Sequence, residues 1–313
     1  METVTACLAG PSEIAARLAK KGTESDFALY NVKKDGKVLV VTHGSRGPEK
    51  PTSLLFAAQL ADVGILVAEQ LDAMLGEAIV AFDLLQVPSG FLVLRGLVEE
   101  QVRPLLAGTR LERWPIVEER FLQDTLLSVP PRKEEGPVRV PIDHFFPVKG
   151  VGTVVLGQVR RGTLHRHAEL EVAPIGKTVQ VRSIQMQDEE ADESPTGSRP
   201  GAALKGIETT DLDRGHVLCE PGSLKASATV TAAITPHRLF KGKPGAGGVG
   251  FNLFLGLQVR AATIQGDWPL PGKTAEVTLV TDSPVAYAAG DRGLLLDIGG
   301  KGLRYAAGVE ILR

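Results

Sequence analysis

The residues of this chain best suited to chemistry are cations spaced along loops, not nucleophiles or metal ligands. The stretch Thr235-Pro236-His237-Arg238-Leu239-Phe240-Lys241-Gly242-Lys243 sets Arg238, Lys241 and Lys243 close together, and the Gly/Ala run that follows to Gly250 leaves backbone accessible. Such a cluster suits phosphate contact, although a solvated hairpin tip has the same composition. His165-Arg166-His167 follows a turn at Gly162 and reads as a surface turn, with pH sensing or phosphate contact as the alternative. His43, with Ser45, Arg46, Gly47 and Lys50, reads as a solvated basic loop, with anion contact as the alternative. Asp188-Glu189-Glu190-Ala191-Asp192-Glu193 reads as a flexible acidic loop that repels nucleic acid locally. Cys7 and Cys219 give neither a metal site nor a disulfide framework, and their apolar, strand-like surroundings predict buried reduced thiols. No catalytic group, metal site or cofactor is expected.

The elements that carry these residues change character near residue 130. Before it, short apolar runs alternate with amphipathic ones. Val4–Ala9 reads as a strand ending in Gly10-Pro11, and Ser12 can cap a helix from Glu13 to Lys20 that Gly22 closes. Asp26–Val32 and Lys37–Thr42 read as strands around the turn Lys34-Asp35-Gly36. Then come a helix at Ser53–Leu60, a strand at Gly64–Ala68, a helix at Ala73–Leu85, a strand at Phe91–Leu94 and a helix at Glu99–Leu106. A strand at Trp114–Val117 and a helix from Glu118 complete the series. Strands separated by helices predict a doubly wound parallel sheet with its ligand edge at the strand carboxyl ends.

The linker at 131–137, rich in proline and charge, predicts a domain boundary, and beyond it helical periodicity disappears. Two all-β units are expected, 138–222 and 223–313, split near Pro221-Gly222, after an α/β domain at 1–130. In the first, Val154, Leu156 and Gln158 alternate with Val155, Gly157 and Val159, the period of a strand. Gly150, Gly152, Gly157 and Gly162 fall where a small barrel must turn tightly or let two backbones approach. The second begins with a strand at Leu224–Ala233 and ends with one at Tyr305–Leu312.

A length of 313 residues suffices for two or three cores, and a formal net charge of -2 excludes a protein that coats nucleic acid by bulk charge. A local basic face is compatible with that figure. No apolar run reaches membrane-spanning length and the first residues lack a signal-peptide pattern, so a cytoplasmic protein is expected, with neither membrane nor DNA as a partner. Aromatics are 5% of residues, too few for base stacking to be a general mode of contact.

The spelling of 136–313 adds a resemblance. Pro141-Ile142-Asp143-His144-Phe145-Phe146, then Gly150-Val151-Gly152 and Thr153-Val154-Val155-Leu156-Gly157, are followed in order by Lys177–Gln185, Gly201–Ile207 and Asp213–Leu218. These resemble the second domain of the elongation factor Tu family of translational GTPases, most of all its selenocysteine-specific branch. Phe240–Pro244, Leu270-Pro271-Gly272, Asp282–Val285 and Gly299–Arg304 resemble the third domain of that family. Residues 1–130 match the GTPase domain by layout. The resemblance implies a P-loop-type α/β domain followed by two β-barrels.

It also shows what is missing. The phosphate-loop position reads Gly10-Pro11-Ser12-Glu13, and no G-x-x-x-x-G-K-[ST] occurs anywhere. The magnesium-side D-x-x-G falls on Val41-Thr42-His43-Gly44, and the guanine-reading N-K-x-D on Arg95-Gly96-Leu97-Val98. Phosphate grip, metal carboxylate and base recognition are thus replaced together, which predicts a GTPase-like domain, not an enzyme, whose degenerate nucleotide site is Gly10, Ser12, Val41, Gly44, Arg95 and Val98. A backbone-only anion site is the alternative.

In the family the second domain holds the aminoacyl end of charged tRNA. Carried over by motif, that pocket would be lined by Asp143, Phe146, Gln185 and Arg199, while Arg238, Lys241 and Lys243 would meet RNA phosphates. His144, Phe145 and Val151 depart from the family pattern, and the competing reading makes Phe146 core and Asp143 a turn cap. The expectation is an elongation factor-like protein, similar to an archaeal group that lacks GTPase motifs, binding tRNA or another structured RNA in or near translation, with the ribosome or a translation protein as a further partner. A protein-interaction scaffold and a non-hydrolysing nucleotide sensor are the alternatives.

Overall fold

The computed structural model describes residues 2–46, 49–187, 189–242, 250–297, 299 and 302–313. Backbone contacts divide the chain into two units, Met1–Arg132 with Gly300–Tyr305, and Lys133–Gly299 with Ala306–Arg313. No helix among the described residues is long and apolar enough to cross a membrane.

The first unit is built on β1 (Glu2–Ala9), β2 (Lys20–Glu24), β3 (Ala28–Lys34), β4 (Lys37–His43), β5 (Val63–Ala68) and β6 (Gly90–Leu94), in the order β2-β3-β4-β1-β5-β6. Its helices are α1 (Ser12–Leu18), α2 (Thr52–Gln59), α3 (Ala73–Leu84), α4 (Glu99–Leu106) and α5 (Leu122–Ser128). The sheet is mixed, whereas the helix–strand alternation predicts a parallel one. β1, β4, β5 and β6 run parallel, but β3 joins β4 through Asp35 and Gly36, both at positive φ, and β2 joins β3 antiparallel. A two-residue turn of that kind permits only an antiparallel neighbour.

Three local expectations are corrected. α1 stops at Leu18, and the Lys20–Glu24 segment expected to end it is the edge strand β2. Ser12 is the first helical residue, not the cap, which is Pro11. The strand expected at Trp114–Val117 reduces to one bridge, Leu92 to Ile116, with a 3-10 turn at Glu119–Phe121 before α5. Pro115 lacks the N–H a longer ladder would need.

α1 and α5 cover one face of the sheet, where Ile14, Leu18, Leu122 and Leu126 pack on Val4, Leu8, Val41, Ile65 and Val67. α2 and α3 pack against each other and against β1, β4 and β5. Both layers leave the carboxyl ends of β1, β4 and β5 open, which is the edge where α/β sheets hold ligands.

The second unit holds two closed six-strand barrels. The first uses β7 (Arg139–Val148), β8 (Gly152–Gly157), β10 (Glu169–Ala173), β11 (Lys177–Met186), β14 (Gly201–Lys205) and β15 (Val217–Cys219), with β9 (Thr163–His165), β12 (Glu189–Ala191) and β13 (Glu193–Pro195) as short additions. The order β10-β15-β7-β8-β14-β11 closes through the β10–β11 pair around Val140, Ile142, Val155, Val172 and Val181. The acidic stretch is therefore not all loop: Asp188 lies outside the described residues, but β12 pairs with β11 and β13 with β9. The second barrel runs β16-β19-β18-β17-β20-β21, from β16 (Lys225–Pro236), β17 (Phe251–Leu255), β18 (Gln258–Gln265), β19 (Ala275–Tyr287), β20 (Arg292–Leu296) and β21 (Tyr305–Ile311). A bidentate pair, Arg139 Nη1 and Nη2 to the Asp291 carboxylate at 2.7 and 2.6 Å, ties the barrels together.

Gly157 shows how tightly the first barrel closes. A Cβ there would lie 2.4 Å from the Pro141 carbonyl oxygen, whereas one on Gly150 would meet nothing within 4 Å. Gly157→Ala is expected to destabilise the protein by about 1–3 kcal/mol through overpacking of backbone on backbone. Gly150→Ala carries only the strain of its positive φ, roughly 1–2 kcal/mol. Urea unfolding of the two variants should give the larger midpoint drop for Gly157→Ala; the reverse order would refute the close approach.

Candidate functional site

At the carboxyl edge of the first unit, Gly10 leaves β1 and its carbonyl accepts a hydrogen bond from His43 Nε2 at 2.9 Å. His43 is only 8% exposed, so the solvated-loop reading of this residue is corrected. β4 extends one residue beyond Thr42, pairing His43 with Leu8, and carries the ring inside. Burial lowers its pKa, opposed by the bond to Gly10, so the ring is held neutral with the proton on Nε2. Ser45 and Lys50 follow in the loop, and Lys50 Nζ lies 2.8 Å from Asp26.

The six positions of the expected nucleotide site do not converge. Gly10, Ser12 and Gly44 line one cavity of about 380 Å³ at the ends of β1, β4 and β5. Val41 is fully buried in the core under α1 and α5. Arg95 does not face that cavity; its Nη1 lies 2.8 Å from the Glu13 carboxylate and its Nε 3.5 Å from that of Glu69. A hydrogen bond to its own backbone amide, and then the one from the Arg95 guanidinium, hold Glu13 below the usual carboxylate range. Val98 is the exposed N-cap of α4, its amide donating to Gln101 Oε1 at 3.0 Å. A cation–carboxylate pair thus stands beside the first turn of α1. The sequence alone gives Glu13 and Arg95 as separate oddities; their pairing is a finding of the fold.

In the first barrel a bulge between Ile142 and His144 sets Asp143 apart from the ladder and turns its side chain inward. Arg199, from the loop before β14, grips it with Nε to Oδ2 at 2.9 Å and Nη2 to Oδ1 at 2.6 Å. His144 Nδ1 lies 2.6 Å from the same Oδ1, and Arg214 Nε donates to the Asp143 carbonyl at 3.2 Å. Burial pushes the carboxyl pKa up, but the Arg199 charge and the hydrogen bonds of His144 and Arg199 outweigh it and hold it below the usual range. Asp143 and Arg199 therefore come together as one ion pair, and His144, read from the sequence only as a departure, is part of the same group.

Phe146 is 42% exposed, so the alternative that makes it core is corrected. Phe145 is the residue that packs on the core, and alternation sends Phe146 to the outer face. Across that face the register aligns His144, Leu156, Gly201 and Gln185 in one row, and Phe146, Val154, Ala203 and Ser183 in the next. Phe146 and Gln185 both point outward, but β7 and β11 stand three steps apart in a closed ring of six strands, so the fold does not bring the two side chains into one pocket.

In the second barrel Arg238 and Lys241 are exposed beyond the end of β16, and Lys243 lies outside the described residues. Lys273, not singled out in the sequence, joins them, because Gly272 N–H donates to the Pro236 carbonyl at 2.9 Å. His165, the last residue of β9, and Arg166 and His167 in the turn after it are exposed, with His167 at positive φ and Arg166 3.5 Å from Asp192. Both cysteines are free and buried; burial pushes the Cys7 thiol up to about 12. No group of three or more metal-ligating side chains occurs among the described residues.

The Asp143 pair has a measurable signature. Its pKa is lowered in the folded state, so its stabilisation is complete above the ordinary aspartate value, near 3.9, and is lost as pH falls through the folded value. Asp143→Asn is expected to cost about 3–5 kcal/mol near neutral pH, because Arg199, mostly shielded from water, is left without its partner. In urea unfolding at stepped pH the gap between wild type and variant should hold down to about pH 5 and shrink below pH 4. A gap unchanged down to pH 2 would refute the pairing.

Comparisons with known proteins agree with this architecture. The family model for elongation factor Tu domain 2 matches residues 152–219, most of the first barrel. The uncharacterized protein MJ0325 of Methanocaldococcus jannaschii is 31% identical over 302 residues, covering 95% of this chain and 96% of that protein. The apo structure of translation elongation factor SelB from Methanococcus maripaludis superposes with a TM-score of 0.80 at 20% identity, covering 100% of this chain and 80% of SelB. The same factor with the GTP analogue GPPNHP gives 0.82 at 19% identity, covering 100% and 79%. A bacterial selenocysteine-specific elongation factor gives 0.81 at 19%, covering 99% of this chain but 58% of that one. At such identities the solved structures establish a shared fold. The near full-length relative places this chain in the family that includes MJ0325, with an elongation factor Tu domain 2 as its first barrel and the fold of SelB.

Proposed function

We propose that this protein is a translation factor-like RNA-binding protein of the cytoplasm that has given up GTP binding and hydrolysis and engages tRNA, or another structured RNA, through its barrels. The observation that carries the RNA reading is the exposed Phe146 ring on the outer surface of the first barrel, with the Gln185 amide elsewhere on that surface. An exposed aromatic offers a stacking face for an unpaired base, and the amide offers hydrogen bonds to a base edge. Arg238 and Lys241 supply a second, electrostatic contact to the backbone. The similarity to SelB adds weight to a partner from translation, the ribosome included, without naming the RNA.

Loss of nucleotide chemistry is supported by side chains. Val41 puts an apolar group in the core where a magnesium-side carboxylate would stand, and Arg95 binds Glu13 and Glu69 instead of reading a base. A phosphate chain entering beside α1 would meet the Glu13 carboxylate. Calorimetry with GTP and magnesium is expected to give no saturable micromolar isotherm, and one that saturates there would overturn this part of the proposal.

For RNA, filter binding of bulk tRNA should show affinity that falls with salt, and Arg238→Ala with Lys241→Ala should make the salt slope shallower by about two, one per lost phosphate contact. Phe146→Ala should weaken binding by roughly 1–3 kcal/mol. Its thermal midpoint should barely move, since a ring so exposed adds little to the core. Absence of any salt-dependent tRNA affinity in the wild type would shift the reading to a protein-interaction scaffold.

A further inference from the structure

We propose that the cavity at the carboxyl edge of the first unit binds a small amphiphilic cation, an amine on an apolar body, and not a nucleotide. Its volume, about 380 Å³, lies within the range of sites that enclose a small organic ligand. It opens between β1, β4 and β5 on the side of α2 and α3, and Arg95 and Val98, at the guanine-reading positions, take no part in its walls. Leu54, Leu66, Leu75 and Ala78 make the interior apolar, and Met74, 53% exposed, stands at the rim.

The charges decide which head group fits. Two cations and three carboxylates line the cavity: Lys50 and Arg304 against Glu69, Asp72 and Glu77. Both cations are committed. Lys50 Nζ is 2.8 Å from Asp26, and Arg304, which belongs to the first unit, holds Glu77 through Nε at 2.8 Å and Nη2 at 2.5 Å. Glu69 has Arg95 at 3.5 Å. Asp72 alone of the three carboxylates has no cationic partner among the described residues. His43, also in the wall, is neutral.

Three helix amino ends reach the cavity: the short α1 carries Glu13 in its first turn, the Ser53 amide of α2 donates to the Lys50 carbonyl at 3.0 Å, and the amide end of the twelve-residue α3 is taken. Asp72 is the N-cap, and its Oδ1 accepts from the Leu75 amide at 2.9 Å. A phosphate or carboxylate entering here would find no uncommitted cation and would meet Asp72. An ammonium group would find the Asp72 carboxylate at the rim, with apolar walls behind it for the rest of the ligand.

Calorimetry on the full chain with 2-phenylethylamine, 2-phenylethanol, 3-phenylpropionate and GTP with magnesium tests the assignment. The amine is expected to bind in the millimolar range or tighter, the alcohol more weakly, and the two anions not at all. Asp72→Asn keeps a good helix cap while removing the charge, so it should weaken the amine about tenfold and leave the alcohol unchanged. Met74→Trp, at an exposed rim position, should weaken both by narrowing the mouth. A circular-dichroism melt of each variant confirms that the fold is intact. Propionate or GTP binding as tightly as the amine, no amine binding at millimolar concentration, or amine affinity untouched by both substitutions would each overturn the proposal. RNA affinity is read on the barrels by a separate assay, so either result stands without the other.

Discussion

A carboxylate with no exposure to water has to be paired, and the pairing of Asp143 sets the form of the first barrel's outer face. The bulge in β7 exists where this side chain leaves the ladder, and Arg199 reaches it from a loop fifty-six residues later in the chain. With Arg214 on the backbone carbonyl and His144 on the carboxylate, one residue fixes a strand, a loop and the segment before β15. Buried pairs of this kind add little net stability compared with an apolar replacement, yet removing one partner is severe. Their value is geometric: the bulge restores the alternation that leaves Phe145 inside and sends Phe146 out.

The two proposed binding regions use opposite electrostatics. At the end of the second barrel, Arg238, Lys241 and Lys273 stand exposed near one another, which suits a polyanion. At the open edge of the first unit, each cation is held by a carboxylate, and the positive end of α3 is covered by Asp72. The formal net charge of -2 for the whole chain therefore conceals local differences large enough to decide which ligand goes where.

Much of this was legible in the sequence, and the remainder fails for definable reasons. Period-two alternation from Val154 to Val159 and ordered motifs between Pro141 and Leu218 gave the first barrel, because a half-buried strand leaves a direct trace in residue types. Asp35-Gly36 gave the β3–β4 hairpin, because few residues accept positive φ. In the sequence β2 reads as a helix end, because Lys20–Glu24 is an edge strand with mostly exposed side chains and so carries no hydrophobic period. β12 reads as loop for the same reason. His43 looked solvated because its neighbours Ser45 and Arg46 are polar, and only the strand register shows that it ends inside. Asp72 could have been found, since an aspartate immediately before a helical run is a cap signal. The Asp143–Arg199 contact could not be derived from local pattern, which says nothing about residues that far apart.

A nucleotide-binding fold can shed its chemistry only if the groups that the nucleotide served find other partners or were never buried. In the first unit that condition is met residue by residue. The Gly10 carbonyl has the His43 ring, the α3 amides have the Asp72 carboxylate, and Arg95 is shared between Glu13 and Glu69. At position 41 a valine adds to the core under α1 and α5, where an unpaired carboxylate would be costly. The replacements therefore form a set: Glu13 without Arg95 would leave an unpaired charge beside the α1 turn, and an aspartate at 41 without a metal would sit in hydrocarbon. Such mutual dependence is what separates a rebuilt edge from a site that has merely decayed, and under the proposed loss of nucleotide binding it accounts for a core that stays intact with no nucleotide to complete it.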